Sequence, residues 1–245
     1  MVIIMLGAPA TGKGSVAELL SGELNIPSIS SGDIFRKNIS EGTEFGKKIK
    51  EFMDKGELVP DSLVLEMITS RLKEDDVKNG VILDGFPRTL PQAEALDKML
   101  AEENKKIDMV VNLETPRDEL IERTINRRNC SNKNCNAIYN LVLHPPKVEN
   151  ICDKCGSPLY QRDDAKLEVA QNRLEVYDRE TAPLVKYYEG TGVLYTTILS
   201  QRANRMREDS DYDDEFVVKV EATEAQLKTA EELINLVDKY IESKK

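Results

Sequence analysis

The segment from Gly7 to Ser15 limits the possible fold of this chain more than any other part of the sequence. It reads Gly-Ala-Pro-Ala-Thr-Gly-Lys-Gly-Ser, it follows the continuous apolar run Val2–Leu6, and it precedes a stretch whose apolar residues recur at helical spacing. A continuous apolar run predicts a strand buried on both faces of a parallel sheet. A glycine-rich turn between such a strand and a helix can point backbone N–H groups at an anion, and the helix N-terminus adds partial positive charge. With Lys13 as a full charge, the segment predicts a loop that binds nucleotide phosphates, although Gly14 separates this lysine from the Ser15 hydroxyl.

The rest of the chain continues the alternation of strand and helix. Further strands are predicted at Val81–Leu83, Asp108–Leu113, Leu194–Leu199 and Phe216–Val220, and further helices begin at Pro116 and Thr223. Alternating strands and helices imply an α/β fold with a doubly wound parallel sheet of the P-loop type.

Two stretches break this alternation. Ser30–Pro60 is helical in pattern without a strand, and Asn129–Arg162 has little helical periodicity. We therefore predict a core domain, an inserted helical lobe and a small metal-stapled lobe. Their predicted bounds are residues 1–29, 61–126 and 164–245 for the core, 30–60 for the helical lobe and 127–163 for the metal-stapled lobe.

Composition narrows the possible partners. The chain has 245 residues and a formal net charge of −10. Binding to a nucleic-acid backbone needs a field of lysine and arginine, so this charge argues against a nucleic-acid partner. No apolar run approaches the roughly 20 residues of a membrane span, and the apolar opening Met1–Leu6 is too short for a signal peptide. We therefore expect a cytoplasmic protein with no membrane partner, in which the polar segment between Arg202 and Glu215 is a solvated loop.

All four cysteines lie in one short segment and form two pairs. Cys130 and Cys135 have four residues between them, and Cys152 and Cys155 have two. Four thiolates on two short turns suit a tetrahedral zinc ion, and a saturated site of this kind is structural rather than catalytic. Another thiophilic metal such as iron, or four unligated thiols, are the alternatives. His144 is not expected to bind, because four cysteines already complete the tetrahedron.

Asp84, Gly85 and Arg88 follow the second predicted strand, at the end where open α/β sheets bind their ligands. Asp84 can hold a magnesium ion through water, Gly85 permits a ligand to approach the backbone, and Arg88 can bind a phosphate through two N–H groups. Upstream, Ser31 and Arg36 lie beside another predicted helix start. The alternative for this upstream segment is that its polar residues only cap the helix.

These segments together resemble the adenylate kinase family of nucleoside monophosphate kinases. The similarity rests on motifs in the family's order and spacing, which are Gly7–Ser15, Ser31–Asp33 with Arg36, Lys55–Pro60, Asp84–Thr89 with Gln92, and Glu122–Arg128. It extends from Met1 to about Leu199 and resumes more weakly in the terminal helix. The resemblance implies reversible phosphoryl transfer in which ATP and AMP give two ADP, with magnesium on ATP and structural zinc in the cysteine-bearing lid. It also implies a monomer.

The resemblance further implies a role for each matching position. The ATP-binding residues would be Ala10, Thr11, Gly12, Lys13, Gly14, Ser15, Arg127, Ile138, Tyr139 and Gln201. The AMP-binding residues would be Ser31, Arg36, Glu57, Leu58, Val59, Gly85, Phe86, Pro87, Arg88, Gln92, Arg162 and Arg173. The catalytic groups would be Lys13, Arg88, Arg123, Arg127, Arg162 and Arg173, which converge on the phosphates when the lobes close, and Asp84, which organises magnesium-bound water. By the same resemblance, residues 30–60 are the AMP-binding lobe, residues 127–163 are the zinc lid, and Gln92 reads the adenine edge.

Two departures from the family pattern bear on the site. Ala10 stands where the family usually has glycine, and an alanine there costs on the order of 1 kcal/mol if the position needs a positive φ. The acidic pair Asp163–Asp164 comes one residue earlier than in the family.

Three other interpretations remain open at this point. A monophosphate kinase that accepts UMP, CMP or GMP would share the fold, but Gln92 and the long cysteine-bearing lid argue against it. A zinc-ribbon module that binds nucleic acid and is fused to an NTPase is disfavoured by the net charge of −10. A catalytically inactive nucleotide-binding relative is suggested only by Ala10.

Overall fold

The protein is described by a computed structural model for residues 1–132, 134–135, 137–198 and 231–235. Four of the sequence predictions fall wholly or mainly outside these residues. They are Gln201 as an ATP contact, the solvated loop between Arg202 and Glu215, the strand Phe216–Val220, and the beginning of the terminal helix at Thr223.

Strand β1 (Val2–Leu6) lies in the middle of a parallel sheet that has five strands within the described residues. The other strands of this sheet are β2 (Ser28–Ser30), β3 (Val81–Asp84), β4 (Met109–Glu114) and β8 (Leu194–Ile198). Within the described residues their order across the sheet is β2-β3-β1-β4-β8, with every pair parallel. The predicted α/β fold with a parallel sheet is therefore confirmed, and β3, β4 and β8 lie where the apolar runs predicted strands.

The apolar run of β1 is continuous because helices cover both faces of the sheet. Val2, Ile4 and Leu6 pack into a core on one face, while Ile3 and Met5 pack into a second core on the other face. The helices outside the lobes are α1 (Lys13–Leu24), α4 (Asp61–Arg71), α5 (Leu90–Glu102), α6 (Arg117–Ile125), α7 (Leu167–Val176) and α8 (Pro183–Glu189). In the part of the chain that is described, none of the helices has the length and apolar character that a membrane crossing requires.

Within the predicted terminal helix, the described residues are 231–235, and they are helical. Its Leu233 is fully buried in the same core as Ile3 and Met5. This part of the terminal helix therefore packs on the face of the sheet that α1 also covers, since Val16 and Leu20 belong to that core as well.

Two helices form the segment that was predicted to be a helical lobe. They are α2 (Ser31–Glu41) and α3 (Glu44–Lys55). The side chains of Ser30 and Thr43 cap them by accepting hydrogen bonds from the backbone N–H of Asp33 and Gly46. The expectation that this stretch contributes no strand is wrong at its first residue, because Ser30 ends the edge strand β2. Two of the three residues of β2 are serines, so the strand has no apolar run to reveal it.

The cysteine-bearing segment contains a small antiparallel sheet. Its strands are β5 (Arg127–Cys130), β6 (Ile138–Asn140) and β7 (Leu159–Tyr160), in the order β6-β5-β7. A compact cluster that includes Cys130, Cys152 and Tyr139 forms its interior.

Candidate active site

The loop after β1 is held closed by the lysine that the motif contains. Helix α1 begins at Lys13, and its Nζ donates hydrogen bonds to the carbonyl oxygens of Gly7 at 2.7 Å and of Ala8 at 2.8 Å. The Oγ1 of Thr11 also donates to the Ala8 carbonyl, at 3.0 Å. Burial lowers the pKa of Lys13 to about 8, against the raising effect of Asp84 and with a smaller lowering effect of Arg88 and other cations. The ammonium group is therefore poorly solvated and lies ready to contact an anion at the mouth of the loop.

Ala10 adopts the backbone conformation that glycine would provide. Its φ is +67°, in the left-handed region that a Cβ atom disfavours. The position therefore does require a positive φ, and the loop nevertheless keeps the contacts of Lys13 with Gly7 and Ala8.

The ends of β2 and β3 build a pocket on the other side of the phosphate loop. The Oγ of Ser31 donates to the carbonyl oxygen of Gly85 at 2.6 Å, and Nε of Arg88 donates to the same oxygen at 2.8 Å. Gly85 has a φ of +74°, and a Cβ atom there would lie 2.8 Å from Nη2 of Arg88 and 2.9 Å from Oγ of Ser31. Gly85 is therefore needed both for its conformation and for the close approach of these two side chains.

Most of the residues predicted to bind a nucleoside monophosphate line this one pocket. Its lining residues are Ser31, Phe35, Met53, Glu57, Leu58, Val59, Val64, Gly85, Arg88 and Gln92. Five predicted members lie outside this lining, namely Arg36, Phe86, Pro87, Arg162 and Arg173. Phe86 is fully buried in the apolar core, and Pro87 is buried outside the lining.

Asp84 lies between the phosphate loop and the pocket. It ends β3 and is in register with Met5 of β1 and Ser30 of β2. A Cβ atom on Gly14 would lie 3.6 Å from its Oδ2, so the carboxylate faces the beginning of α1. Its negative charge raises the pKa values of both Lys13 and Arg88, although burial lowers these values more strongly.

A group of arginines surrounds one carboxylate that the sequence analysis did not assign to the site. Nε of Arg162 donates to Oδ1 of Asp164 at 2.8 Å, and Nη1 of Arg173 donates to its Oδ2 at 2.9 Å. Burial opposes the ionisation of Asp164, but the hydrogen bond from Arg162 and the charges of Arg173, Arg162 and Arg36 lower its pKa to about 2. Asp164 is therefore ionised throughout the neutral range and holds the two arginines together.

The arginines are crowded enough to act on one another. Burial lowers the pKa of Arg127 to about 10, and the charges of Arg162, Arg36 and Arg173 act in the same direction. Burial likewise lowers the pKa of Arg173 to about 10, where Asp164 opposes the effect and Arg88, Arg162 and Arg36 add to it. The Nε of Arg127 is buried and has no hydrogen-bond partner among the described residues. This region has more positive than negative charge and at least one donor available, which makes it a site for a multivalent anion.

The surroundings of Arg123, Ile138 and Tyr139 differ from those of the other predicted site residues. Nη2 of Arg123 donates to Oε2 of Glu119 at 3.1 Å within α6, so this guanidinium already has a buried carboxylate beside it. Ile138 is half exposed, as a contact on the lid surface requires. Tyr139 is not: its side chain is buried among the cysteines, and its Oη accepts a hydrogen bond from the N–H of Asp153 at 2.7 Å. The side chain of Tyr139 therefore supports the lid interior.

The four cysteine sulfurs form one cluster. All four Sγ atoms lie within 4.8 Å of one another, with 3.4 Å between Cys130 and Cys155 and 3.6 Å between Cys135 and Cys152. Four sulfur ligands at this spacing fit a tetrahedral thiophilic ion, of which zinc is the commonest. The ring of His144 stacks on Tyr139 with the centroids 6.5 Å apart, and it is not a member of the cluster.

Two residues of the site were missed from the sequence. Asp164 was noted only as one of an acidic pair, and Asp61 was not noted at all. Asp61 begins α4 and accepts hydrogen bonds from the side chains of Gln92 and Thr89. The only sequence signal for Asp164 was its place beside Arg162, and Asp61 lies 31 residues from Gln92 in the chain.

Comparison with known proteins identifies relatives over most of the chain. The family model described as adenylate kinase matches residues 5–193. A protein named adenylate kinase from Caldicellulosiruptor saccharolyticus is 54% identical over 198 residues, which are 81% of this chain and 91% of that protein. Adenylate kinases from Archaeoglobus fulgidus and Methanosarcina mazei are 53% and 50% identical, over 80% and 85% of this chain and 89% and 96% of their own lengths.

The conformation of Ala10 leads to a test of the phosphate loop. We expect Ala10→Gly to increase the free energy of unfolding by about 1 kcal/mol, because glycine adopts a positive φ without the Cβ penalty. The matched control is Ala8→Gly in the same loop, which has no positive φ and should lose about 0.5–1 kcal/mol. Denaturant unfolding of both variants measures the difference. Equal losses of stability in the two variants would show that Ala10 is not strained.

Proposed function

Because this chain belongs to the adenylate kinase family and is a phosphotransferase that acts between ATP and AMP, we propose how its residues carry out that transfer. The observation that carries the proposal is the position of the arginine group. Arg36, Arg127, Arg162 and Arg173 all lie close to one carboxylate, Asp164, and Arg36 also pairs with Asp33. A pair of nucleotides brought end to end would supply the negative charge that these side chains lack.

The loop Gly7–Ser15 would bind the phosphates of ATP. Lys13 now donates to two carbonyl oxygens of its own loop, and its ammonium group would transfer these bonds to the β- and γ-phosphate oxygens. Phosphoryl transfer leaves little covalent chemistry to the protein, so the work is positioning and neutralisation of charge. A buried ammonium is suited to this, because its charge acts strongly where little water screens it.

The pocket between Ser31 and Gln92 would bind the acceptor, AMP. Arg88 lines this pocket, is hydrogen bonded to Gly85, and would bind the acceptor phosphate. Gln92 lies at another part of the lining and would contact the adenine edge. The acceptor phosphate would then lie between Arg88 and the γ-phosphate on Lys13, in the direction that in-line transfer requires.

The three proposed parts of the chain would meet around the phosphates. We propose that residues 1–29, 61–126 and 164–245 form the core, residues 30–60 the AMP-binding lobe and residues 127–163 the lid. Arg36 belongs to the AMP-binding lobe, Arg127 and Arg162 to the lid, and Arg173 to the core. Closure of these parts around bound nucleotides would exclude the water that could otherwise hydrolyse ATP. Arg123 would join this group only by leaving Glu119.

Two metal ions would accompany the reaction. Magnesium bound to ATP would neutralise phosphate charge, and Asp84, whose carboxylate faces the beginning of α1, would organise its water ligands. Zinc would be held by Cys130, Cys135, Cys152 and Cys155 and would fold the lid without taking part in transfer. That the enzyme is a monomer in the cytoplasm, without a nucleic-acid or membrane partner, stays a prediction of the sequence.

A coupled assay of ADP formation tests this function. With ATP as donor, we expect AMP to be the preferred acceptor over CMP, UMP and GMP. Arg88→Ala should lower the rate by about 100-fold or more, because it removes a charged contact to the acceptor phosphate in a poorly solvated site. Arg71→Ala is the matched control, since Arg71 pairs with Asp76 outside this pocket. Preference for another monophosphate would replace the proposal with that activity, and no turnover with any acceptor would reject it.

The lowered pKa of Lys13 predicts a particular pH dependence. As pH rises past about 8, the free enzyme loses the Lys13 proton, so kcat/KM for ATP should fall. Bound phosphates raise the pKa of a lysine, so kcat at saturating ATP should stay level to a higher pH. Parallel pH profiles of kcat and kcat/KM measure this. If both profiles fall together above pH 10, Lys13 has an ordinary pKa in the free enzyme.

We expect that removal of the metal from the cysteine cluster lowers the stability of the protein before it lowers the activity. A strong chelator, or Cys152→Ser, should lower the melting temperature, because four sulfur ligands hold the lid interior together. ADP formation should continue below the new melting temperature. Ser131→Ala, at an exposed neighbouring residue outside the cluster, is the control and should leave the melting temperature unchanged. An immediate loss of turnover with the fold intact would instead indicate a catalytic metal.

A further inference from the structure

The amide group of Gln92 is held at both of its ends. Its side chain is only 1% exposed, yet it lines the pocket proposed for AMP. Oε1 accepts a hydrogen bond from the backbone N–H of Arg88 at 2.8 Å, and Nε2 donates to Oδ1 of Asp61 at 2.6 Å. The other carboxylate oxygen of Asp61 accepts from Oγ1 of Thr89 at 3.0 Å. The two hydrogen-bond partners of the amide belong to different parts of the chain, because Asp61 begins α4 and Arg88 lies just before α5.

These two partners permit only one orientation of the amide. A backbone N–H can only donate and a carboxylate can only accept, so the oxygen must face Arg88 and the nitrogen must face Asp61. A half-turn of the amide would put its NH₂ against the N–H of Arg88 and its oxygen against the carboxylate. One lone pair on Oε1 and one hydrogen on Nε2 are left over for a ligand, because each end can make two hydrogen bonds.

The orientation of the amide matters because adenine and hypoxanthine present opposite arrangements of donor and acceptor along the same edge. Adenine offers a donor at its 6-amino group and an acceptor at N1, and an amide can meet both. Hypoxanthine has the same shape with an acceptor at O6 and a donor at N1. An amide that could turn freely would serve either base equally well. A held amide serves one of them and leaves the other with donor against donor and acceptor against acceptor.

We propose that Asp61 sets the specificity for the acceptor base by holding the Gln92 amide in this single orientation. The inference rests on the proposed function, in which Gln92 contacts the edge of the acceptor base. Asp61 is a positioning residue, since it acts on the ligand through Gln92. Its place suits this role, because it begins α4 directly after the segment Glu57–Val59 that lines the same pocket.

The test compares AMP with inosine monophosphate as acceptor, using ATP as donor. In the wild-type protein we expect kcat/KM for AMP to exceed that for inosine monophosphate by at least about 100-fold, because the held amide mismatches the inverted edge at two positions. In Asp61→Asn, the new amide can either donate a hydrogen bond to Gln92 or accept one from it. A half-turn of the Gln92 amide then keeps its partner at position 61 and loses only the hydrogen bond to Arg88. The ratio should then fall by about tenfold. The change should appear in both kcat and KM with the monophosphate, whereas KM for ATP should stay unchanged.

Thr89→Val is the matched control. It removes the other hydrogen bond of Asp61 and the N-cap of α5, and it leaves both bonds on the Gln92 amide. We expect a lower melting temperature with the ratio of AMP to inosine monophosphate preserved. If Asp61→Asn does not fold, Asp61→Ser replaces it, because a serine hydroxyl also both donates and accepts.

Each result decides for or against the inference. Equal changes in kcat/KM for AMP and for inosine monophosphate in Asp61→Asn would mean that Asp61 has only a structural role. A wild-type protein that uses inosine monophosphate within about threefold of AMP would overturn the inference without any variant, since the amide would then be free to turn. A wild-type protein that forms no ADP from ATP and AMP would contradict the proposed function instead, so the two failures are distinguishable.

Discussion

The structure depends on an excess of positive charge gathered around two carboxylates, Asp84 and Asp164. Burial lowers the pKa values of Lys13, Arg127 and Arg173, because each cation loses hydration that the neighbouring carboxylates do not fully replace. Asp164 opposes this effect at Arg127 and Arg173, and Asp84 opposes it at Lys13, but the two carboxylates do not neutralise the group. A chain with a net charge of −10 thus concentrates its cations where they are least stable, and an oligophosphate supplies what they lack. The site therefore carries unneutralised positive charge before an oligophosphate binds, and this charge favours the binding.

The lid sheet connects the cysteine cluster to this charge. Strand β5 begins with Arg127 and ends with Cys130, so the same four residues reach from the arginine group to the sulfur cluster. Cys130 also pairs with Leu159 of β7, and Arg162 follows that strand by two residues. A sheet of such short strands has little apolar surface to fix its own register, so a metal on the four sulfurs would fix it. On this view a structural ion would determine where Arg127 and Arg162 lie, two of the arginines proposed to bind phosphate, without itself contacting a phosphate.

The sequence predicted the parts of the fold that long apolar runs encode. Strand β1 was recognisable because both of its faces are buried. The phosphate loop was recognisable because its glycines and Lys13 follow this strand at a known spacing. Strand β2 was missed because three residues with two serines carry no periodicity. The direction of the Tyr139 side chain could not be read for the same reason, since alternation over the three residues of β6 is too short to assign a face. Asp61 and Asp164 were missed because their roles come from contacts between separate elements, which no local pattern records.

The position of Asp61 joins base recognition to the geometry of transfer. The same carboxylate that holds Gln92 also accepts from Thr89, the residue that caps α5. Arg88 lies beside both, and its backbone N–H is the second partner of the Gln92 amide. A base with the wrong edge therefore cannot turn the amide without disturbing the N–H of the residue proposed to hold the acceptor phosphate. An acceptor base that mismatches the Gln92 amide would therefore also displace the acceptor phosphate, and in-line transfer is sensitive to displacements of about 1 Å. Discrimination would then appear in the rate as well as in binding.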